Sequence, residues 1–151
     1  MIRPSELRMR RMTRDDLDAA MEIENASHPN AWPRKVFWRW LRDPQVHGTV
    51  LDIGGEVCGF YLLSFEGGKC HLINIAIAPL HRRQGYARLS IARIEEFCLR
   101  EGMSEIFLEV RESNLPAQLL YKSCAFEAVD ILREHYGAED GYRMRKSLLL
   151  D

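Results

Sequence analysis

The run Ile73-Asn74-Ile75-Ala76-Ile77-Ala78-Pro79-Leu80-His81-Arg82-Arg83-Gln84-Gly85-Tyr86-Ala87-Arg88 constrains the chain more than any other stretch. An alternating apolar segment with β-branched residues stops at a proline, turns through polar residues and a glycine, and enters a long helical pattern. It predicts a strand, a tight loop and a helix. The first amides of a helix have no partner within it and stand at its positive dipole end, so they suit an anion. Gly85 and Ala87 keep bulky side chains away from those amides, while Arg82, Arg83 and Arg88 add charge. The loop reads as a cradle for a diphosphate, although a single glycine among arginines also occurs in ordinary strand-to-helix connections.

The remaining pattern predicts one domain covering residues 1–151. Leu7 to Met12 alternates as a strand, and Thr13 caps a helix carrying Asp15 and Asp16 in its first turn and fading by Ser27-His28-Pro29. A second helix starts near Pro33 and presents Val36, Phe37, Trp40 and Leu41 on one side. Val46 to Ile53 and Val57 to Phe65 form a hairpin around Gly54-Gly55, and Gly67-Gly68 turns into a strand from Lys69 to Ala78. The helix from Tyr86 to about Glu101 ends at Gly102. A strand from Ser104 to Val110 follows, directing Ile106, Leu108 and Val110 to one face and Phe107 and Glu109 to the other. Asn114 caps a short helix through Cys124, and Phe126 to Leu132 with Tyr142 to Leu148 closes the chain as a hairpin. The helix after Ile77 is long enough for a right-handed crossover, which makes the strands on either side of it parallel neighbours.

Composition excludes several classes. A net charge of −1 over 151 residues gives no global basic field for nucleic acid, and no run of about 18 apolar residues is present to cross a membrane. Met1 to Asp18 alternates charge with single apolar residues, which is not a secretory pattern, so a cytoplasmic protein is expected. Cys58, Cys70, Cys98 and Cys124 are widely spaced, with no histidine at ligand spacing; reduced thiols and no metal are expected.

Arg82-Arg83-Gln84-Gly85-Tyr86-Ala87 resembles the (Gln/Arg)-x-x-Gly-x-(Gly/Ala) acetyl-CoA loop of the GNAT N-acetyltransferase superfamily. Leu108-Glu109-Val110-Arg111-Glu112-Ser113-Asn114, with Ala117 and Leu120-Tyr121-Lys122, is similar to the corresponding run of RimI-like ribosomal-protein alanine N-acetyltransferases. The resemblance implies an α/β fold with a mixed, mostly antiparallel sheet of about seven strands and about four helices on both faces. Its parallel pair would be splayed at the cofactor site. It further implies that acetyl-CoA is held by the backbone of Ile75, Ala76 and Ile77, by Arg82 to Arg88 including Gln84, Gly85, Tyr86 and Ala87, and by Asn114 and Tyr121.

Acetyl transfer to an amine requires a deprotonated nitrogen and a proton for the departing thiolate. An α-amine has an ordinary pKa of about 7.7 to 8.0, so a modest base suffices. By pattern alone Glu109 is either a solvated strand-end carboxylate or that base, and Tyr121 either a core tyrosine or an acid. The resemblance assigns the base and acid roles. It implies a protein or peptide N-terminus as acceptor, a ribosomal protein among the candidates, and direct transfer in a ternary complex, by a monomer or weak dimer. A small-amine acetyltransferase and a non-catalytic acyl-CoA-binding module are the alternatives. Two departures bear on the acceptor. Ala125 stands where the family commonly has glycine, and the loop between Tyr136 and Glu139 is short.

Overall fold

The computed structural model describes residues 6–149. Seven strands form one sheet in the order β1-β2-β3-β4-β5-β7-β6. They are β1 Leu7–Arg11, β2 Val46–Ile53, β3 Glu56–Glu66, β4 Lys69–Ile77, β5 Glu105–Arg111, β6 Glu127–Tyr136 and β7 Glu139–Ser147. Four helices accompany them: α1 Leu17–Ser27, α2 Arg34–Arg42, α3 Tyr86–Arg100 and α4 Leu115–Ser123. The pairs β1–β2, β2–β3, β5–β7 and β6–β7 are antiparallel, and β4–β5 is parallel. By backbone packing the chain divides into two units. One comprises residues up to Ser64 together with Asn74–Ala87, the other Phe65–Ile73 together with the chain from Arg88 onward.

In the first unit, Thr13 opens a short 3-10 turn over Arg14–Asp16, and α1 begins only at Leu17. The expected helix is therefore a turn followed by a helix, because the Asp16 carboxylate reaches back to the Thr13 N–H at 2.8 Å. Leu17, Ala20, Ile23 and Glu24 are its buried residues. Pro33 takes the cap position of α2 rather than its first helical residue, and of this helix only Phe37 is fully enclosed. Its ring meets Phe60 of β3 edge-on at 5.2 Å. A Cβ at Gly59 would stand 2.9 Å from the Ala76 carbonyl oxygen, so glycine there permits close backbone approach beside the end of β4.

In the second unit, Ile106, Leu108 and Val110 are buried while Phe107, Glu109 and Arg111 are half-buried, as the alternation predicts. Asn114 caps α4 by accepting the Ala117 N–H at 3.2 Å. Ala125 lies at φ 70, the left-handed conformation glycine would adopt freely, and the Phe126 N–H still closes on the Tyr121 carbonyl at 2.9 Å. The closing hairpin is longer than the sequence suggests. Residues 133–136 and 139–141 are strand, joined by a two-residue turn at Gly137-Ala138. Asp140 makes this possible by accepting the Glu134 N–H at 2.8 Å and pairing with Arg133 at 3.1 Å across register shifts in β6.

Candidate active site

The strand–loop–helix segment of the first unit comes first. After β4, Pro79–His81 makes a 3-10 turn and α3 starts at Tyr86. Gly85 has φ 82 and nothing within 4 Å of a Cβ position, so its backbone angle, not crowding, demands glycine. Arg83 shares the left-handed region at φ 63. Arg82, expected beside the amides, is engaged elsewhere: its Nε donates to the Ile77 carbonyl at 3.0 Å and its Nη2 to Ser27 Oγ at 3.0 Å. It ties the loop to α1, which leaves Arg83 and Gln84 as the exposed polar side chains of the loop not bonded to α1. Tyr86 turns its ring inward beside His81, Ala87 is half-buried, and in the second unit Arg88 is exposed. Ala76 and Ile77 are buried and Ile75 half-buried at the end of β4.

Asn74 anchors this strand end. Its Nδ2 donates to the buried Glu24 Oε1 at 2.9 Å, its Oδ1 meets His28 Nε2 at 3.1 Å, and Glu24 Oε2 accepts the Trp32 N–H at 3.0 Å. Trp32 is thereby fixed against Trp40 and Phe37 and is half-buried, as is Trp38. A cavity of about 490 Å³ in the same unit, lined among others by Arg11, Arg42, His47 and Tyr61, includes none of the candidate residues.

The titratable groups with catalytic potential gather in the second unit. The parallel pairing of β4 with β5 runs from Lys69–Glu105 to His71–Phe107, which brings the His71 ring flat onto Phe107 with centroids 4.5 Å apart. His71 Nε2 lies 2.8 Å from Glu109 Oε1. Arg143, opposite Glu109 on β7, stands with its Nε 3.8 Å from Oε2. Both Oε2 and that Nε are buried without a hydrogen-bond partner. Burial pushes the Glu109 carboxyl up, but the His71 hydrogen bond and the charges of His71, Arg143 and His135 outweigh it and hold the group below the usual glutamate value. Glu109 is thus an ionised carboxylate with one oxygen bonded to His71 and the other buried without a hydrogen bond.

Tyr121, the enclosed residue of α4, packs on Phe126 with ring centroids 5.9 Å apart. Burial, with lesser contributions from Tyr136 and Cys124, pushes the phenol well up. It remains protonated and offers a donor hydrogen. The cysteines are free thiols, three buried and Cys124 half-buried. No group of His, Cys, Asp and Glu able to hold a metal occurs among the described residues, nor a helix long and apolar enough to cross a membrane.

Sequence reasoning overlooked His71 and Arg143. The available signal was alternation: His71 lies on the same face of β4 as Ile73 and Ile75, and Arg143 lies within β7, the strand that closes the hairpin. Only the register between strands puts them beside Glu109.

A family model described as the acetyltransferase (GNAT) family matches residues 17–126. The N-alpha-acetyltransferase of Sulfurisphaera tokodaii is 31% identical over 95% of this chain and 94% of its own length. The [ribosomal protein bS18]-alanine N-acetyltransferase of Escherichia coli strain K12 is 30% identical over 83% and 84%. Among solved structures, the ribosomal-protein-S18-alanine N-acetyltransferase from Escherichia coli superposes with a TM-score of 0.87 at 27% identity, covering 96% of each chain. Ard1 from Thermoplasma volcanium shares the fold, with a TM-score of 0.88 at 21% identity over 96% and 99%.

Proposed function

Because this chain belongs to the acetyltransferase (GNAT) family, we propose that it is a cytoplasmic, single-domain enzyme that transfers the acetyl group of acetyl-CoA to the α-amino group of a protein or peptide N-terminus. Ribosomal proteins are among the acceptors the reading includes. The observation that carries it is Glu109, ionised against His71 with Oε2 unpartnered. Relatives named for α-amine acetylation align over most of the chain and support the choice of acceptor.

In this reading the amides at the start of α3, with Arg83, Gln84 and Arg88, hold the diphosphate of acetyl-CoA. The backbone of Ile75 to Ile77 and the Asn114 side chain hold its pantetheine. The neutral α-amine attacks the thioester carbonyl, so the N–C bond forms and the C–S bond breaks. Once acylated, the nitrogen is far more acidic than a free ammonium, and even a carboxylate of lowered pKa is base enough to take its proton. Oε2 receives that proton, directly or through one water. Tyr121 donates a hydrogen bond to the departing thiolate. A thiol has an ordinary pKa of about 8.5, so complete transfer from a phenol held above its usual value is uphill, and Tyr121 stabilises the sulfur more than it protonates it.

The test is CoA release with acetyl-CoA and short peptides varied at their first two residues, alongside blocked lysine peptides and polyamines. Release with free N-termini and not with lysine side chains or polyamines is expected. Release with polyamines alone overturns the reading.

A further inference from the structure

Arg143 is unlike those cations of its unit that bond a carboxylate directly. Arg111 bonds Glu139 at 3.2 Å, Arg133 bonds Asp140 at 3.1 Å and Lys146 bonds Glu95 at 2.7 Å. Arg145 only approaches a carboxylate, Glu105 at 3.7 Å, and in that it resembles Arg143. Arg143 meets a carboxylate only through Nε at 3.8 Å from Glu109 Oε2, makes no hydrogen bond among the described residues, and has its guanidinium 5.8 Å from the Phe107 ring. Its Nε is buried while the side chain is 43% exposed, so the rest of the side chain carries the exposure. A planar cation resting on an aromatic face, with its outer nitrogens uncommitted, is the arrangement that receives a carboxylate.

The surroundings favour the same sign. Glu109 faces His71 of β4, Arg143 of β7 and His135 and Tyr136 of β6, and one of its oxygens is already hydrogen-bonded to His71. An anion brought here finds the uncommitted outer nitrogens of Arg143. Consecutive Cα atoms lie about 3.8 Å apart. Arg143 adjoins Glu109, so a peptide whose α-amine donates to that carboxylate brings the side chain of its next residue into the neighbourhood of Arg143.

We propose that Arg143 is a specificity-determining residue that selects acceptors bearing an acidic side chain at the second position, an inference that rests on the proposed N-terminal acetyltransferase reading. The experiment compares kcat/KM for three peptides identical except for their starts, Ala-Glu, Ala-Gln and Ala-Lys, with the native chain and with Arg143→Gln and Arg143→Glu. Every peptide uses the same Glu109, so damage to proton transfer cancels in the ratio between peptides. The native chain is expected to prefer Ala-Glu over Ala-Lys by about tenfold, less at high salt, as expected for a half-exposed charge pair. Arg143→Gln brings the ratio close to one, and Arg143→Glu inverts it. An equal rate for all three peptides in the native chain, or a preference that survives Arg143→Gln, overturns the inference while leaving N-terminal acetylation standing. Absence of turnover with every peptide fells both.

Discussion

Two carboxylate clusters, one in each unit, are built from the same kinds of side chain and finished differently. In the first unit Arg10 spans Asp16 and Asp52, with Nε, Nη1 and Nη2 each 2.9 Å from a carboxylate oxygen. The remaining demands are met by backbone, the Thr13 N–H on Asp16 and the Gly55 N–H on Asp52, both at 2.8 Å. In the second unit Glu109 has one bonded oxygen, and its Oε2 and the Arg143 Nε face each other at 3.8 Å without a bond. A nearly buried carboxylate with both oxygens hydrogen-bonded stabilises a fold and offers little to a ligand. An ionised carboxylate left incomplete costs stability and keeps an oxygen for chemistry. The contrast sets a fully paired cluster beside an incompletely paired one, and the proposed chemistry uses the second.

The comparison can be broken most directly at Glu109. Glu109→Gln should lower turnover by about 10² to 10⁴ and leave the melting temperature near that of the native chain. A large fall in melting temperature with turnover retained would put Glu109 in the structural class. Next in size, Arg10→Leu strands two nearly buried carboxylates and should cost about 3 kcal/mol of stability. For a chain of this length that is a melting temperature roughly 6 to 12 °C lower, readable by circular dichroism. The Arg10 hydrogen bonds, the leading cause in each case, hold Asp16 and Asp52 below the ordinary carboxylate range. Their contribution is complete above the unfolded value of about 3.9 and is lost as pH falls through the lower folded values. The native chain should therefore lose stability below about pH 4, and Arg10→Leu should be flatter there.

A smaller effect is expected at Tyr121. Tyr121→Phe should reduce kcat by about tenfold with acetyl-CoA affinity held, the size of one hydrogen bond to a developing charge. Unchanged kcat would remove Tyr121 from the chemistry. The finest test is His71→Leu. Glu109 is depressed in the folded chain, so its ionised form persists to low pH; once the fall due to protonation of the acceptor α-amine, common to both chains, is divided out, the acidic limb of kcat/KM set by Glu109 lies there. Without the His71 hydrogen bond that limb should move to higher pH, with a greater loss of activity at pH 6 than at pH 8. A pH profile identical to the native one would mean that His71 only fills space against Phe107.

Much of the fold was legible from residue order. The turns at Gly54-Gly55 and Gly67-Gly68, the Asn114 cap and the alternation of β5 follow from φ preferences and period, which act between near neighbours. The closing hairpin was underestimated because its outer strand carries Arg133, Glu134 and His135, whose polarity hides strand character. What holds them is Asp140, a contact across the hairpin. Within the candidate site, the Gly85 turn was legible and the engagement of Arg82 was not. An arginine beside a glycine loop looks free until the end of α1 arrives to accept from it.

The amino-acid order alone determined the strand–loop–helix punctuation at Pro79 and Gly85 and the face of β5 on which Glu109 stands, because backbone angles and side-chain period are local properties. It could not determine what Glu109 meets. His71 and Arg143 reach it through strand register, and register is set by how whole strands bury their apolar faces against one another. The tertiary structure therefore decided which charge holds the carboxylate ionised and which of its oxygens stays open.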